Sequence, residues 1–86
     1  MGVRKIARRK PGAASRRLGA RIRDLRTECE WSLEELAHRA GMHVTYLSSI
    51  ERGHRNPTLN VMAALARAFS VSLSVLVEGV EPLGGK

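Results

Sequence analysis

The sequence predicts an all-α fold, one compact five-helix domain behind a disordered basic N-terminal arm. Three observations carry that expectation. Apolar residues recur at steps of three and four. Residues that cap helices alternate along the chain with residues that stop them. No segment shows a period-two alternation long enough for a convincing strand.

The arm comes first. Net charge is +7, from 15 Lys and Arg against 8 Asp and Glu. Residues 1–17 hold seven of the cations (Arg4, Lys5, Arg8, Arg9, Lys10, Arg16 and Arg17) and no acid, so the rest of the chain is formally neutral. Residues 1–14 read as disordered, because they are basic and Pro11-Gly12 breaks any early helix. Leu18, Ile22, Leu25 and Cys29 then share one face of a first helix, with Ser15 as its N-cap. Arg16 and Arg17 fall in its first turn, where the helix dipole disfavours cations. That local misfit makes sense beside a polyanion.

Ser32-Leu33-Glu34-Glu35 is a capping box. It opens a second helix over 33–40 that turns Leu33, Leu36, Ala37 and Ala40 inward and stops at Gly41. A third helix runs over 44–52 and stops at Gly53. After the loop His54-Arg55-Asn56-Pro57, Thr58 caps a fourth helix with Leu59, Met62, Ala63, Ala66 and Phe69 on one side. Ser72 caps a fifth over 73–78 that ends at Gly79, and the tail over 80–86 is loose. The expected organisation is an arm over 1–14, a domain over 15–79 and a tail over 80–86.

Size and composition exclude several functions. After the arm, too few residues remain for more than a modest core, which leaves little room for the deep pocket of an enzyme. No Ser-His-Asp set, paired carboxylate site or phosphate-cradling glycine loop stands out, so the chain reads as a non-enzyme. Trp31, Tyr46 and Phe69 are too few for an RNA-binding sheet that stacks successive bases. His38, His43 and His54 lack the spacing of a metal set, and no metal or other cofactor is expected. Cys29 reads as a small core residue without a disulfide partner. No apolar run long enough to span a membrane or to serve as a signal peptide is present, so the expected compartment is the cytoplasm.

The third helix carries the most information. With Val44 set at zero and about 100° per residue, Thr45, Ser48, Ser49 and Arg52 fall between about 40° and 140°. Tyr46, Leu47 and Ile50 cluster opposite. A small, polar, cationic face is what a helix needs to approach base edges in the major groove. Taken alone, the same face fits a solvated surface of a core helix equally well.

The spacing adds to this. A helix over 33–40, a turn at Gly41 and a second helix from Val44 form a helix-turn-helix over 33–52. The stretch SLEELAHRAGMHVTYLSSIERG resembles the helix-turn-helix of lambda-repressor-like (XRE-type) regulators. LGARIRDLR, RNPTLNVMAALARAF and SVSLSVLVEG resemble that family's first, fourth and fifth helices, so the likeness covers residues 18–79.

The resemblance implies sequence-specific double-stranded DNA binding by a small transcriptional regulator of repressor or controller type. Val44, Thr45, Ser48 and Ser49 match the family's base-reading positions. The family often has Gln at the first of these and at the start of the second helix, where this chain has Val44 and Leu33, so no Gln-to-adenine contact is carried over. Arg52, His54, Arg55 and Asn56 resemble its phosphate-gripping loop, with the Tyr46 hydroxyl, Arg16 and Arg17 as further phosphate contacts. Arg26 and Glu51 match its usual ion pair, which implies a structural tie between the first and third helices. Family members usually pair on two-fold sites. A homodimer on a palindromic operator is therefore implied, joined through Leu73, Leu76, Val77 and Val80, with Leu83 beyond them. A toxin or polymerase is the candidate protein partner. Two other readings stand beside this one: an antitoxin-type protein that neutralises a partner toxin and autoregulates its operon, and a non-specific nucleic-acid binder working through the arm.

Overall fold

A computed structural model describes residues 12–81, which contain five helices: α1 (Ala13–Glu28), α2 (Leu33–Ala40), α3 (Val44–Glu51), α4 (Leu59–Phe69) and α5 (Leu73–Leu76). The described residues contain no strand. Most of the expected arm, most of the tail and Leu83 lie outside the described residues.

Helix α1 begins earlier than the sequence suggested. Its N-cap is Gly12, which offers no side-chain cap, and Ala13 and Ala14 are helical rather than part of the arm. Ser15 is buried instead of capping. The reason is its register: Ser15, Leu18, Gly19 and Ile22 follow steps of three, four and seven, so Ser15 continues the inward stripe. At the other end Cys29 is exposed, not a core residue. It is the C-cap, and Glu30 at φ 60° turns the chain away before the stripe can extend to it. The Trp31 N–H donates to the Arg26 carbonyl at 3.1 Å and the Glu30 N–H to the Thr27 carbonyl at 2.9 Å, which is the Schellman ending.

Ser32, Thr58 and Ser72 cap α2, α4 and α5 as expected, accepting from the N–H groups of Glu35, Val61 and Val75 at 3.0, 3.1 and 3.2 Å. The capping box is only half formed, because the Glu35 carboxylate pairs with Arg39 at 2.7 Å, one turn on. Helix α2 ends at Gly41, whose φ of 70° suits glycine. Helix α5 is a single turn, shorter than the expected 73–78, and is followed by turns that reach Gly79.

The core gathers Leu18 and Ile22 from α1, Leu36 and Ala37 from α2, Leu47 and Ile50 from α3, Leu65 and Ala66 from α4, and Leu76 from α5. On α4 the inward stripe is Met62, Leu65, Ala66 and Phe69. Leu59, expected to face inward, is 62% exposed because it opens the helix beyond the core's edge. Trp31 and Phe69 stack with centroids 5.7 Å apart, joining the α1–α2 turn to the end of α4. Arg39 lies 4.2 Å over the Trp31 ring. Arg21 closes α1 onto the last turn, donating to the Val75 carbonyl at 2.8 Å and lying 3.4 Å from a Glu78 oxygen.

Candidate nucleic-acid interface

Packing sets which face of α3 points outward. Leu47 and Ile50 are essentially inaccessible to solvent. Each such side chain is worth roughly 1.5–3 kcal/mol when fully buried, so α3 cannot rotate without losing both. The opposite face is left to the solvent. Thr45 is exposed there, Ser48 and Ser49 are half-buried, and Arg52 is exposed as the C-cap residue. Val44 is half-buried against the edge of the core, so only part of its side chain faces outward. The outer face is therefore nearly free of bulk, with hydroxyls along its length and a cation at its end.

The α3 helix is seated by three contacts. Arg26 and Glu51 form a two-pronged pair, Nε to Oε2 at 2.6 Å and Nη2 to Oε1 at 2.9 Å. The side chains are 12% and 6% exposed. The hydrogen bond with Glu51 raises the Arg26 pKa above its ordinary value, burial opposes this, and the charges of Glu51 and Glu34 add to the rise. The remaining prong of Arg26, Nη1, donates to the Trp31 carbonyl at 2.9 Å, so one guanidinium ties α3 to the α1–α2 turn.

The second contact is Gly19. A Cβ there would overlap the backbone carbonyls of Ile50 and Glu51, so α1 touches the last turn of α3 through bare backbone. The third is Gly53, at φ 78°, where a Cβ would meet the Arg16 Cγ at 2.8 Å and Cα at 2.9 Å. Neither glycine contact was found from the sequence. A glycine inside a helix costs about 1 kcal/mol against alanine, and that penalty was the available signal for Gly19.

The Gly53 contact has an electrostatic result. It brings the start of α1, and with it Arg16, against the turn that carries Arg52, His54, Arg55 and Asn56. These four are all exposed, as is Arg17, the next residue of α1. Arg52 folds back so that its Nε donates to the Ser48 carbonyl at 3.3 Å. The Arg55 Cζ sits 5.5 Å from the Tyr46 ring centroid. Among the described residues, the arginines that make ion pairs are Arg21, Arg26 and Arg39. Arg16, Arg17, Arg52 and Arg55 pair with no described carboxylate, and neither do Arg23 on α1 and Arg67 on α4. An exposed turn whose guanidinium groups pair with no described carboxylate, beside a small polar helix face, suits a duplex whose phosphates flank its major groove.

The expected pairing surface is altered at one residue. Leu76 is fully buried and belongs to the core, because the one-turn α5 points it inward between its neighbours. Leu73, Val77 and Val80 are half-buried, and Val75, overlooked in the sequence, is 39% exposed.

Known proteins offer close comparisons. A sequence model of the helix-turn-helix family matches residues 22–76. The transcriptional regulator DdrOP3 of Deinococcus deserti is 40% identical over 68 residues, which is 79% of this chain and 53% of that protein. The restriction–modification controller protein C.AhdI of Aeromonas hydrophila has a similar crystal structure, with a TM-score of 0.74 and 35% identity over 76% of this chain and 98% of that one. The biofilm master regulator SinR, solved in complex with DNA, gives a TM-score of 0.67 and 39% identity over 71% of this chain and 98% of that one. The chain spans about half, or less, of the length of the first curated relatives it matches.

Proposed function

The chain belongs to the helix-turn-helix (XRE-type) family, and from that premise we propose that it is a small transcriptional regulator that binds a specific double-stranded DNA site. One observation carries the proposal. The core and the Arg26–Glu51 pair fix α3 with its small polar face outward, beside Arg16, Arg52 and Arg55, which pair with no described carboxylate. In this reading α3 enters the major groove. Thr45, Ser48, Ser49 and the exposed part of Val44 meet base edges, and Arg52, His54, Arg55, Asn56, Arg16 and Arg17 meet phosphates. The regulator works without enzymatic chemistry, by occupying its site, in the cytoplasm.

A module of this size reads few base pairs, so we place two copies on a palindromic operator with half-sites about one helical turn apart. The pairing surface is Leu73, Val75, Val77 and Val80. The relatives are named as transcriptional regulators and controller proteins, which favours a regulator over an antitoxin.

Selection of the full chain on random duplex DNA tests the proposal. An enriched palindrome is the expected result. Enrichment without symmetry would remove the paired arrangement. No enrichment, with affinity that merely falls steeply with salt, would leave only a non-specific binder.

A further inference from the structure

We propose that the Tyr46 ring is a seat for Arg55, holding its guanidinium at the edge of α3 before DNA arrives and contributing to binding through Arg55 rather than through the tyrosine hydroxyl. This rests on the DNA-binding reading above and adds a positioning residue to it. The 5.5 Å between the Arg55 Cζ and the ring centroid lies within the roughly 6 Å reach of a cation–π contact. The two groups belong to different elements. Tyr46 is in the first turn of α3, and Arg55 is in the loop beyond Gly53, so the contact spans the length of the helix.

The two partners differ in freedom. Tyr46 is half-buried and packs against the core, so the ring is fixed by the fold. Arg55 is exposed, and among the described residues it forms no ion pair and no side-chain hydrogen bond. The ring is thus the group that restricts it. An arginine that must be immobilised on binding loses rotamer freedom, and one already seated loses less. The planar guanidinium can lie on the ring and still present its N–H groups at its rim.

The test is a double-mutant cycle on the full chain with its selected duplex at fixed salt. All variants are compared at a temperature where circular dichroism shows each to be folded. Tyr46→Leu removes the seat and is expected to weaken binding about threefold to tenfold. Tyr46→Phe restores the ring and should recover to within about twofold of wild type. In an Arg55→Ala background, Tyr46→Leu should cost nothing further. If Tyr46→Phe is as weak as Tyr46→Leu, the hydroxyl makes the contribution and the proposal fails. It fails equally if the loss persists without Arg55. A second measurement needs neither DNA nor a variant. In the free wild-type chain the Arg55 side-chain protons should carry a ring-current shift to high field, and unshifted protons would overturn the seat. This readout also separates the two readings, since a chain that selects no duplex loses the DNA-binding proposal while the shift still decides the seat.

Discussion

Arg26 makes three hydrogen bonds from a side chain only 12% exposed, two to Glu51 and one to the Trp31 carbonyl. Arg26→Ala strands the Glu51 carboxylate where water barely reaches it. Removing one partner of such a pair costs about 3–5 kcal/mol. The expected outcome is a large loss of stability in urea unfolding. Unchanged melting with weakened DNA binding would instead make Arg26 a contact residue. Because the Arg26 pKa is raised, its contribution is complete below the unfolded-state pKa and is lost only as pH rises through the folded value, in strong alkali. Arg26→Lys keeps the charge but not the two-pronged geometry and should rescue only in part. Gly19→Ala poses the opposite conflict. Alanine gains about 1 kcal/mol of helix propensity, yet its Cβ would overlap the carbonyls of Ile50 and Glu51. Backbone yields less readily than a flexible side chain, so a lower melting temperature is expected, and a higher one would mean that α1 and α3 separate at little cost.

Two helix ends carry strain that a single substitution can relieve. Glu30 and Ser70 sit at φ 60° and 59°, the left-handed positions that end α1 and α4. A side chain there costs roughly 1–2 kcal/mol, partly offset by the extra freedom glycine has when unfolded. Glu30→Gly and Ser70→Gly should each stabilise by about 1 kcal/mol, or about 4–8 °C in melting for a domain of this size. A fall in melting temperature for either would show that its side chain contributes contacts beyond the turn.

The same ends show what the sequence could and could not convey. Ser32, Thr58 and Ser72 were legible as caps because a hydroxyl before an apolar stripe has one good local use. The start of α3 at Val44 and the Arg26–Glu51 tie were legible through the family pattern. Ser15 and Cys29 were misread because each lies where a helix meets the core's edge, and a periodicity does not say where the stripe stops. Leu59 is exposed for the same reason, whereas Leu76 belongs to the core because the single turn of α5 points it inward. The approaches at Gly19 and Gly53 are contacts between distant segments that no local pattern encodes.

Across the whole molecule, charge is divided by task. Arg21, Arg26 and Arg39 spend their charge on neighbouring carboxylates and hold the scaffold. Arg16 is drawn to the α3–α4 turn by a contact that only a glycine allows, and there it joins Arg52 and Arg55. Residues 1–11 add five further cations, Arg4, Lys5, Arg8, Arg9 and Lys10. Since α1 starts at Ala13, a cut after residue 11 falls outside all five described helices. Each phosphate neutralised contributes about 0.9 to the slope of log affinity against log salt. The truncated chain should therefore bind more weakly at low salt, with a slope shallower by up to roughly four to five, if all five cations meet phosphates. Its selected sequence should be the same as that of the full chain, because the proposed base-reading residues, Val44, Thr45, Ser48 and Ser49, all lie on α3. Titrating both chains on the selected duplex at several salt concentrations measures the slope, and repeating the selection with the truncated chain measures preference. An unchanged slope would mean that the five cations stay clear of the duplex. A changed sequence preference would mean that they enter a groove and read bases there, as basic arms of other helix-turn-helix proteins do.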